Sequence, residues 1–322
     1  MIGAFPPLYP DELLVSAWAR YERWVRYPHR RALLDELFGH AKMSVKFDLP
    51  SRLGEFTTAL PPGHPAACVD DLIARHTLLP YYAAFLPAER QRILCAQLAG
   101  SGGCHIPLGQ SVYNQRTPQV LRYCPDCVAD DRQRFGETYW HRLHQAVGVE
   151  VCPEHAVWLE TSDAPSWTVP GMVTFPDAES VIRSLPARAL DVNHLHERQL
   201  LRLAHAARWL LTHPDVNAET FQLRERGLLQ LVARGWATYS GRFKQREITA
   251  AVEATYSKAL IIRLGCHWTP DDETRCWVRR LLHTHFRAPF VLHALLLVLL
   301  YAEDLPAFLA LPAQLQPFGT GP

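Results

Sequence analysis

The sequence predicts a mostly α-helical protein with one small cysteine-rich module near its centre. Three observations indicate this fold class. Apolar residues recur at helical spacing in most segments, 25 prolines separate those segments, and two short cysteine-containing pairs lie between residues 124 and 155. With 322 residues, of which 48% are hydrophobic and 20% charged, the chain has the composition of a folded protein with a well-buried core. We expect four parts, which are residues 1–120, 121–160, 161–190 and 191–322.

The low net charge and the short apolar runs argue against a uniformly basic nucleic-acid-binding protein, a secreted protein and a membrane protein. A net charge of +1 produces no global field that would draw the chain to nucleic acid, so any nucleic-acid surface must be a local patch. The first residues lack the pattern of a secretory signal, and the longest apolar run, 294–301, is far too short to span a bilayer. We therefore expect a cytoplasmic protein without a membrane contact, in which the eight cysteines serve as metal ligands and core thiols and not as disulfides.

The first part, residues 1–120, is predicted to be helical. A helix is expected to begin after Pro10 and to break at Pro28, and a second helix over 30–38 is expected to stop at Gly39. Two helices joined by a short turn predict an N-terminal helix-turn-helix region. The rest of this part is expected to contain short helices and loops, with helix candidates at 70–76 and 87–98.

A basic cluster lies at the end of the first predicted helix. Between residues 20 and 31 there are five arginines and one acid, with aromatic residues among them. Basic side chains neutralise phosphates, so Arg20, Arg23 and Arg26 are candidates for DNA contacts. A solvated helix face explains the same pattern equally well.

The central module contains two pairs of metal-ligand type, Cys124-Pro-Asp-Cys127 and Cys152-Pro-Glu-His155. Two pairs with this internal spacing suit tetrahedral Zn²⁺, because each short turn brings two donors to the same side. Four protein ligands leave no open coordination position. We therefore predict one structural zinc ion and no catalytic metal, with two unrelated pairs of buried thiols as the alternative.

The interval between the two pairs supplies aromatic residues that can form a small core beside the metal. It also contains His141 and His144, which are either alternative ligands or hydrogen-bonded groups within the fold. The four donors already present favour the second interpretation. The module carries four arginines against seven acids, which makes it a poor phosphate clamp. We expect it to bind protein or to act as a scaffold.

Residues 161–190 contain four prolines and are predicted to form a linker or an irregular wrap over the surface. Beyond them the pattern is again helical, and the last part is predicted to be a helical domain. Its helices are expected over 194–213, 221–233, 245–256, 274–283 and 289–301.

A second basic cluster lies within the C-terminal part. Residues 222–263 hold eight basic residues against three acids. The order of a helix, a turn at 235–241 and a second helix predicts a second helix-turn-helix-like unit, and the start of its second helix would enter the major groove. The candidates for DNA contacts there are Arg242, Lys244, Gln245 and Arg246, since Arg and Gln side chains read base edges. A solvated helix in a bundle is the alternative.

Several of these segments resemble one known family. The runs 122–127, 139–145 and 151–155, which read RYCPDC, YWHRLHQ and VCPEH, resemble with Leu159 the zinc signature of the TniQ/TnsD family. These are target-selection proteins of Tn7-like transposons. The opening run PLYPDEL at 7–13 is similar to that family's N-terminal segment. The run GRFKQRE at 241–247, the segment from Asp271 to Trp277 and the apolar helix around 293–297 resemble the TnsD branch.

The resemblance implies a bacterial protein that marks an insertion site and is not itself an enzyme. Such proteins read target DNA directly or ride on a CRISPR effector complex, and then recruit a TnsC-type AAA+ ATPase that engages the transposase. A homodimer is compatible with this role. Two departures from the family pattern are visible. No second cysteine cluster follows Leu159, and the chain ends at Pro322, so a reduced target-reading surface or a truncated chain is expected.

Two other functions fit parts of the sequence. A zinc-containing helix-turn-helix transcription regulator needs the same modules. A metal-dependent nuclease could use His141 and His144 with Asp130 or Asp131, although these residues lie between the ligands of a closed site. Nucleotide-binding loops and a G-x-S-x-G elbow are missing from the sequence. A second metal site is a further alternative, formed by Cys266, His267, Cys276, His283 and His285.

Overall fold

Helices form most of the structure, and short strands cluster near the middle of the chain. The computed structural model describes residues 2–27, 29–40, 45–100, 119–168, 172, 174–238, 242–269, 271, 276–282 and 291–313.

The N-terminal helices pack around a large aromatic core. Trp18 lies edge to face with Phe38 at 5.1 Å between ring centroids, so the first two helices are in direct contact. The second helix ends at Gly39, whose φ of 67° gives the left-handed cap that glycine adopts without strain. The helices of this region are α1 (Leu14–Val25), α2 (Arg30–Phe38), α3 (Leu53–Ala59), α4 (Val69–His76), α5 (Leu79–Ala83) and α6 (Ala88–Ala99).

The central module combines two small antiparallel sheets with one helix of three turns. Strand β1 pairs with β4, and β2 pairs with β3 in a tight hairpin. Its elements are β1 (Val120–Tyr123), α7 (Pro125–Phe135), α8 (Arg142–Gln145), β2 (Val151–Cys152), β3 (Val157–Trp158) and β4 (Glu160–Pro165).

The C-terminal part packs around two long helices, one amphipathic and one almost wholly apolar. The apolar helix α16 is buried on nearly every side. In the described part of the chain, no helix is both long enough and apolar enough to cross a membrane. The elements are α9 (Ala178–Val181), α10 (Leu195–Thr212), α11 (Ala218–Phe221), α12 (Leu223–Ala233), α13 (Gln245–Tyr256), α14 (Lys258–Arg263), α15 (Trp277–Leu282), α16 (Val291–Tyr301) and α17 (Leu305–Leu309).

Helix α10 connects the three regions. It contacts α5 of the N-terminal region, α8 and β2 of the central module, and α13 and α16 of its own region. The rings of Phe85 and Phe221 pack against each other at the same junction, with 4.4 Å between their centroids and 39° between their planes. One continuous hydrophobic cluster therefore includes residues from every region. The division into four parts stays a prediction, and the packing shows that these parts share a core.

Gly148 marks the closest approach between the central module and α16. Its φ is +82°, and a Cβ atom built there would lie 2.8 Å from Leu292 Cδ1 and 3.4 Å from Leu203 Cδ2. Both the backbone conformation and the lack of space require glycine at this position.

The proline-rich segment 161–190 is attached to the rest of the protein at several of its described residues. Its first residues form β4, and Phe175 is buried with 6.0 Å between its ring centroid and those of both Trp18 and Phe47. The Trp140 indole N–H donates to the Pro176 carbonyl oxygen at 2.8 Å. These contacts favour a segment that wraps over the surface and not a flexible linker.

The long amphipathic helices are those whose bounds the sequence predicted well. The predictions 30–38 and 245–256 match α2 and α13. The prediction 70–76 differs from α4 by one residue at its start, and 87–98 and 194–213 differ from α6 and α10 by one residue at each end. Residues 101–118, 272–275 and 283–290 lie outside the described residues, and with them the predicted starts of the last two helices.

Neither predicted helix-turn-helix unit is established by the packing. Helix α12 contacts α15 and α16, whereas α13 contacts α10 and α14. Their connection contains an antiparallel bridge between Ala237 and Phe243, closed by Lys244 N–H donating to the Trp236 carbonyl oxygen at 2.8 Å. Residues 239–241 of this turn are outside the described part. Both helix-turn-helix assignments stay predictions.

Candidate metal centre and basic surfaces

The first cysteine pair lies where strand β1 passes into helix α7. Cys124 directly precedes the helix, and its Sγ accepts a hydrogen bond from the Cys127 backbone N–H at 3.4 Å. Pro125 occupies the first helical position, where its fixed φ and missing N–H cost nothing. The first turn of the helix therefore returns Cys127 to the side of Cys124, and both cysteines are buried.

The second pair lies in the turn of the hairpin formed by β2 and β3. Cys152 ends β2 and pairs with Val157. The Ala156 N–H donates to the Cys152 carbonyl oxygen at 2.9 Å, and Ala156 adopts a left-handed φ of 51°. This tight turn places the His155 ring beside the Cys152 sulfur.

The fold brings the two pairs together into one cluster. His155 Nδ1 lies 3.6 Å from Cys124 Sγ, 3.4 Å from Cys127 Sγ and 3.7 Å from Cys152 Sγ. The sulfurs of Cys127 and Cys152 are 3.7 Å apart. All four donor atoms lie within 4.8 Å of one another. The four residues that the sequence predicted as ligands are thus assembled in one place.

These distances fit a tetrahedral metal ion. Metal–donor bonds of about 2.3 Å to sulfur and about 2.0–2.1 Å to nitrogen give tetrahedral edges of about 3.8 Å between sulfurs and about 3.6 Å between sulfur and nitrogen. The observed edges from His155 and between Cys127 and Cys152 agree with these values. The donor set of three sulfurs and one imidazole nitrogen is one that structural zinc sites use.

A carboxylate supports the histidine of the cluster. Asp130 Oδ2 lies 3.2 Å from His155 Nε2, on the side of the ring away from the sulfurs. A proton on Nε2 donates to this carboxylate and leaves Nδ1 free to act as the ligand atom. Asp130 lies one helical turn beyond Cys127, so α7 provides both a ligand and the group that orients another ligand.

His141 and His144 are engaged within the fold. His141 Nε2 lies 2.9 Å from Asp131 Oδ2. Burial lowers the pKa of His141, but this carboxylate outweighs burial and holds the pKa above its ordinary value. His144 is buried, with Nε2 3.9 Å from Cys127 Sγ and Nδ1 lacking a hydrogen-bond partner. His144 therefore lies against the cluster, and the His141 ring packs on His144 with 4.9 Å between centroids.

A buried arginine joins the metal centre to the regions on either side. Arg142 Nε donates to Asp11 Oδ1 at 3.0 Å, and its Nη1 donates to the Ala74 and Thr77 carbonyl oxygens at 2.6 and 3.1 Å. Its Nη2 donates to the Leu211 carbonyl oxygen at 3.2 Å. One guanidinium thus contacts the N-terminal segment, α4, the residue after it and α10.

Arg20 occupies an interior position that differs from the predicted one. Its side chain is only 5% exposed and forms ion pairs of 2.9 Å with both Glu12 and Glu137. The guanidinium also lies 3.8 Å from the Tyr9 ring centroid. These contacts leave no surface on which a phosphate could bind. We assign Arg20 a structural role in place of the predicted DNA contact.

The other two N-terminal candidates lie on the surface. Arg23 is 39% exposed and pairs with Glu137 and with Asp177, the latter at 3.1 Å. Arg26 follows α1 in a left-handed conformation and is exposed. Both remain predictions as DNA contacts.

The C-terminal candidates lie at the start of α13. Arg242, Lys244 and Arg246 are exposed, and Gln245 is half-buried as the first residue of the helix. Three cations are therefore presented together near a helix N-terminus. Their role in DNA binding is likewise a prediction.

The alternative second metal site is not assembled in the described residues. Cys266 and Cys276 are buried, with Cys266 Sγ donating to the Leu264 carbonyl oxygen at 3.5 Å and Cys276 Sγ accepting from Arg279 N–H at 3.5 Å. His267 lies 3.9 Å from Glu253. Among the described residues, only the cluster around His155 brings three or more potential ligands together. His283 and His285 lie outside the described residues.

Sequence reasoning missed the supporting roles of Asp11, Asp130 and Arg142. Asp130 was considered only as a nuclease ligand, although an acid three residues after a cysteine on a helix can reach a neighbouring ligand. Arg142 and Asp11 belong to runs that resemble the family signature, but they are far apart in the sequence and no local pattern connects them. Only the fold shows this pair.

A mostly helical fold with a closed Cys₃His cluster is typical of proteins with a structural metal site. A metal ion bound there would stabilise the fold and would have no open coordination position for catalysis. Comparison with known proteins identifies the family. The TniQ family model matches residues 4–159, and the model for the Tn7-like transposition protein D, TnsD, matches residues 203–322. Together the two models cover most of the chain, which belongs to the TniQ/TnsD family.

One curated relative is the Transposon Tn7 transposition protein TnsD of Escherichia coli. The two chains are 35% identical over 155 residues, which is 47% of this chain and 30% of the relative. The matched region therefore spans less than a third of the relative's length.

Proposed function

We propose that this chain selects target sites for transposition. It binds target DNA or a DNA-targeting complex, and it recruits a TnsC-type AAA+ ATPase that directs the transposase. It carries out no catalysis itself. The observation that carries this proposal is the closed Cys₃His cluster within the TniQ-matching region, held to α10 of the TnsD-matching region through Arg142.

The cluster is proposed to hold one structural zinc ion. Cys124, Cys127, Cys152 and His155 supply all four ligands, and the ion would cross-link β1 and α7 to the hairpin of β2 and β3. Because a bound ion would leave no open position, activation of water is not expected there. Elemental analysis of the purified chain should give one zinc per chain. A ratio of zero, or of two, would overturn this assignment.

The surface near the start of α13 is proposed to contact DNA. Arg242, Lys244 and Arg246 are exposed there, next to the half-buried Gln245. Arg242→Ala combined with Arg246→Ala should weaken binding to duplex DNA by about tenfold or more. The negative slope of log affinity against log salt should become shallower by about 2, because two phosphate contacts are lost.

The matched control removes two exposed arginines elsewhere. Arg75 and Arg92 are 75% and 74% exposed and lie on α4 and α6. Arg75→Ala combined with Arg92→Ala changes the net charge by the same amount and should leave both DNA affinity and salt slope unchanged. Equal losses for the two double variants would show that net charge, and not the α13 surface, determines binding.

Recruitment is tested by binding of the purified chain to a purified TnsC-type ATPase. The full zinc-loaded chain should bind it and should not nick plasmid DNA in the presence of Mg²⁺. Nicking that disappears with His144→Ala would instead support the nuclease. Cas genes beside the locus would favour guidance by a CRISPR effector complex, and footprinting of the pure chain on DNA would favour direct reading.

A further inference from the structure

A cleft lies directly beside the metal centre, at the junction of three regions. Its volume is about 370 Å³, and its walls come from the N-terminal segment, from α7 and α8 with the hairpin of the module, and from α10. The residues that matter for its chemistry are Asp11, Phe135, Tyr139, Asp130, Glu154 and Leu211. No single region could form this cleft alone.

One wall of the cleft is aromatic. Phe135 is 36% exposed; its ring meets that of Tyr139 in a T-shaped contact at 6.0 Å and stacks on Tyr9 with 4.4 Å between centroids. Leu211 contributes an aliphatic surface on the α10 side. Such a wall suits a flat or extended side chain, and an aromatic face also attracts a cation.

The charged residues of the cleft are predominantly acidic. The lining contains the acids Asp11, Asp130, Asp131 and Glu154 against the bases Arg134 and Arg208. All four acids already have cationic or histidine partners: Arg142 pairs with Asp11, Arg208 with Glu154, His141 with Asp131 and His155 with Asp130. The two acids beside histidines keep their negative charge when those rings are neutral. A divalent ion bound by three thiolates would add one further negative charge at the floor.

The floor also holds an acceptor without a donor. His144 lines the cleft, is 2% exposed and has no hydrogen-bond partner for Nδ1. If its Nε2 proton points to the Cys127 sulfur, 3.9 Å away, Nδ1 is an acceptor. Nδ1 itself has almost no exposed surface, so it is not counted among the groups that would bind an occupant of the cleft.

We infer that this cleft takes an arginine or lysine side chain from the ATPase partner, with the alkyl stem against Phe135 and Leu211 and the cationic group among Asp11, Asp130 and Glu154. The inference rests on the proposed recruitment of that ATPase. Charge complementarity selects this occupant. The same acids repel DNA. An acidic peptide would likewise be repelled by Asp130 and Glu154.

The test measures binding of the full zinc-loaded chain to the ATPase, with three cleft variants and one control. Glu154→Lys reverses a charge at a residue that is 58% exposed, and Phe135→Ala removes the aromatic wall; each should weaken binding at least tenfold. Arg134→Glu makes the cleft more acidic and should leave binding unchanged or tighten it. Asp163→Lys makes the same charge change as Glu154→Lys at an exposed residue of β4 and should bind like the wild type.

The outcomes separate this inference from the proposed function. Wild-type protein that fails to bind the ATPase would overturn the recruitment itself. Wild-type binding that Glu154→Lys and Phe135→Ala leave unaltered, or that Arg134→Glu weakens tenfold, would overturn the cleft assignment alone. Zinc content and thermal unfolding of each variant show that the fold is retained. A photo-crosslinker placed at position 135 should label an ATPase segment that contains arginine or lysine, and labelling of a segment without either would also count against the inference.

Discussion

The Arg142 guanidinium donates a hydrogen bond to the Leu211 carbonyl oxygen at 3.2 Å. This bond connects the central module to the last turn of α10. The same side chain satisfies two carbonyl groups at the end of α4 and the carboxylate of Asp11. A charge that is almost wholly buried is stable only when its donors are satisfied. The three regions therefore depend on one another through this residue.

Replacing Arg142 with alanine should destabilise the whole protein. The change leaves the Leu211, Ala74 and Thr77 carbonyl oxygens without this donor, and the expected loss in the free energy of unfolding is about 2–4 kcal/mol. Urea unfolding followed by circular dichroism measures it. Arg75→Ala, at an exposed site of α4, is the control and should change stability by less than about 0.5 kcal/mol. Equal stability of the two variants would contradict a connecting role for Arg142.

Replacing Cys127 with serine should abolish binding of the proposed zinc ion and unfold the central module. Three remaining donors cannot complete the tetrahedral set, and zinc binding contributes folding free energy directly. Zinc content should fall from one per chain to near zero, and ATPase binding should be lost with it. Cys68→Ser, at an exposed thiol, should retain both. A folded, zinc-free and recruitment-competent Cys127→Ser protein would refute the role given to the metal.

Asp130→Ala should weaken zinc binding while leaving all four ligands in place. Loss of the carboxylate beside His155 Nε2 frees the ring to rotate and lowers its basicity, and an affinity loss of about tenfold is expected. Competition with a chromogenic chelator measures the affinity. Asp126→Ala removes another acid from the first turns of α7 and should show no comparable loss. If both variants release zinc equally, net charge and not the His155 contact explains the effect.

Glu22 should make stability depend on pH in a defined range. Burial raises the pKa of its carboxyl from 4.5 to about 7, although the hydrogen bond from Phe175 N–H opposes this. Between these two values the folded protein keeps a proton that the unfolded chain has lost. The stability contributed by this group is therefore greatest below pH 4.5, falls as pH rises to about 7 and is constant above that.

The Glu22→Gln variant tests this dependence, because glutamine keeps an acceptor for the Phe175 N–H but cannot ionise. The variant should match the wild type near pH 4.5 and exceed it by about 2–3 kcal/mol at pH 8. The measured quantity is the difference in free energy of unfolding between the two proteins across pH. A difference that does not change with pH would contradict the raised pKa.

The sequence predicted the cluster of three cysteines and His155 because the spacing within each pair is local. Each pair lies within four residues, so a turn or the start of a helix is enough to bring the donors together. The amphipathic helices α2, α4, α6, α10 and α13 were predictable for a similar reason, since their apolar periodicity extends over several turns. Short helices such as α5 and α14 lack such a run and were missed.

Contacts between distant segments could not be read from the sequence. Arg20 lies in a basic cluster, which suggested DNA binding, yet its partners are Glu12 eight residues earlier and Glu137 far along the chain. The prolines of 161–190 suggested a linker or an irregular wrap, and composition could not decide between them. The packing of Phe175 against Trp18 and Phe47 favours the wrap.

The glycine at position 148 bears on how relatives of this protein can be recombined. Because glycine has no side chain, Leu292 and Leu203 can pack against the backbone at this position. A chimera that takes its first 160 residues from one relative and the remainder from another would have to preserve the match at this contact. Exchange of target specificity between relatives should therefore succeed when residues 148, 203 and 292 travel together as one compatible set.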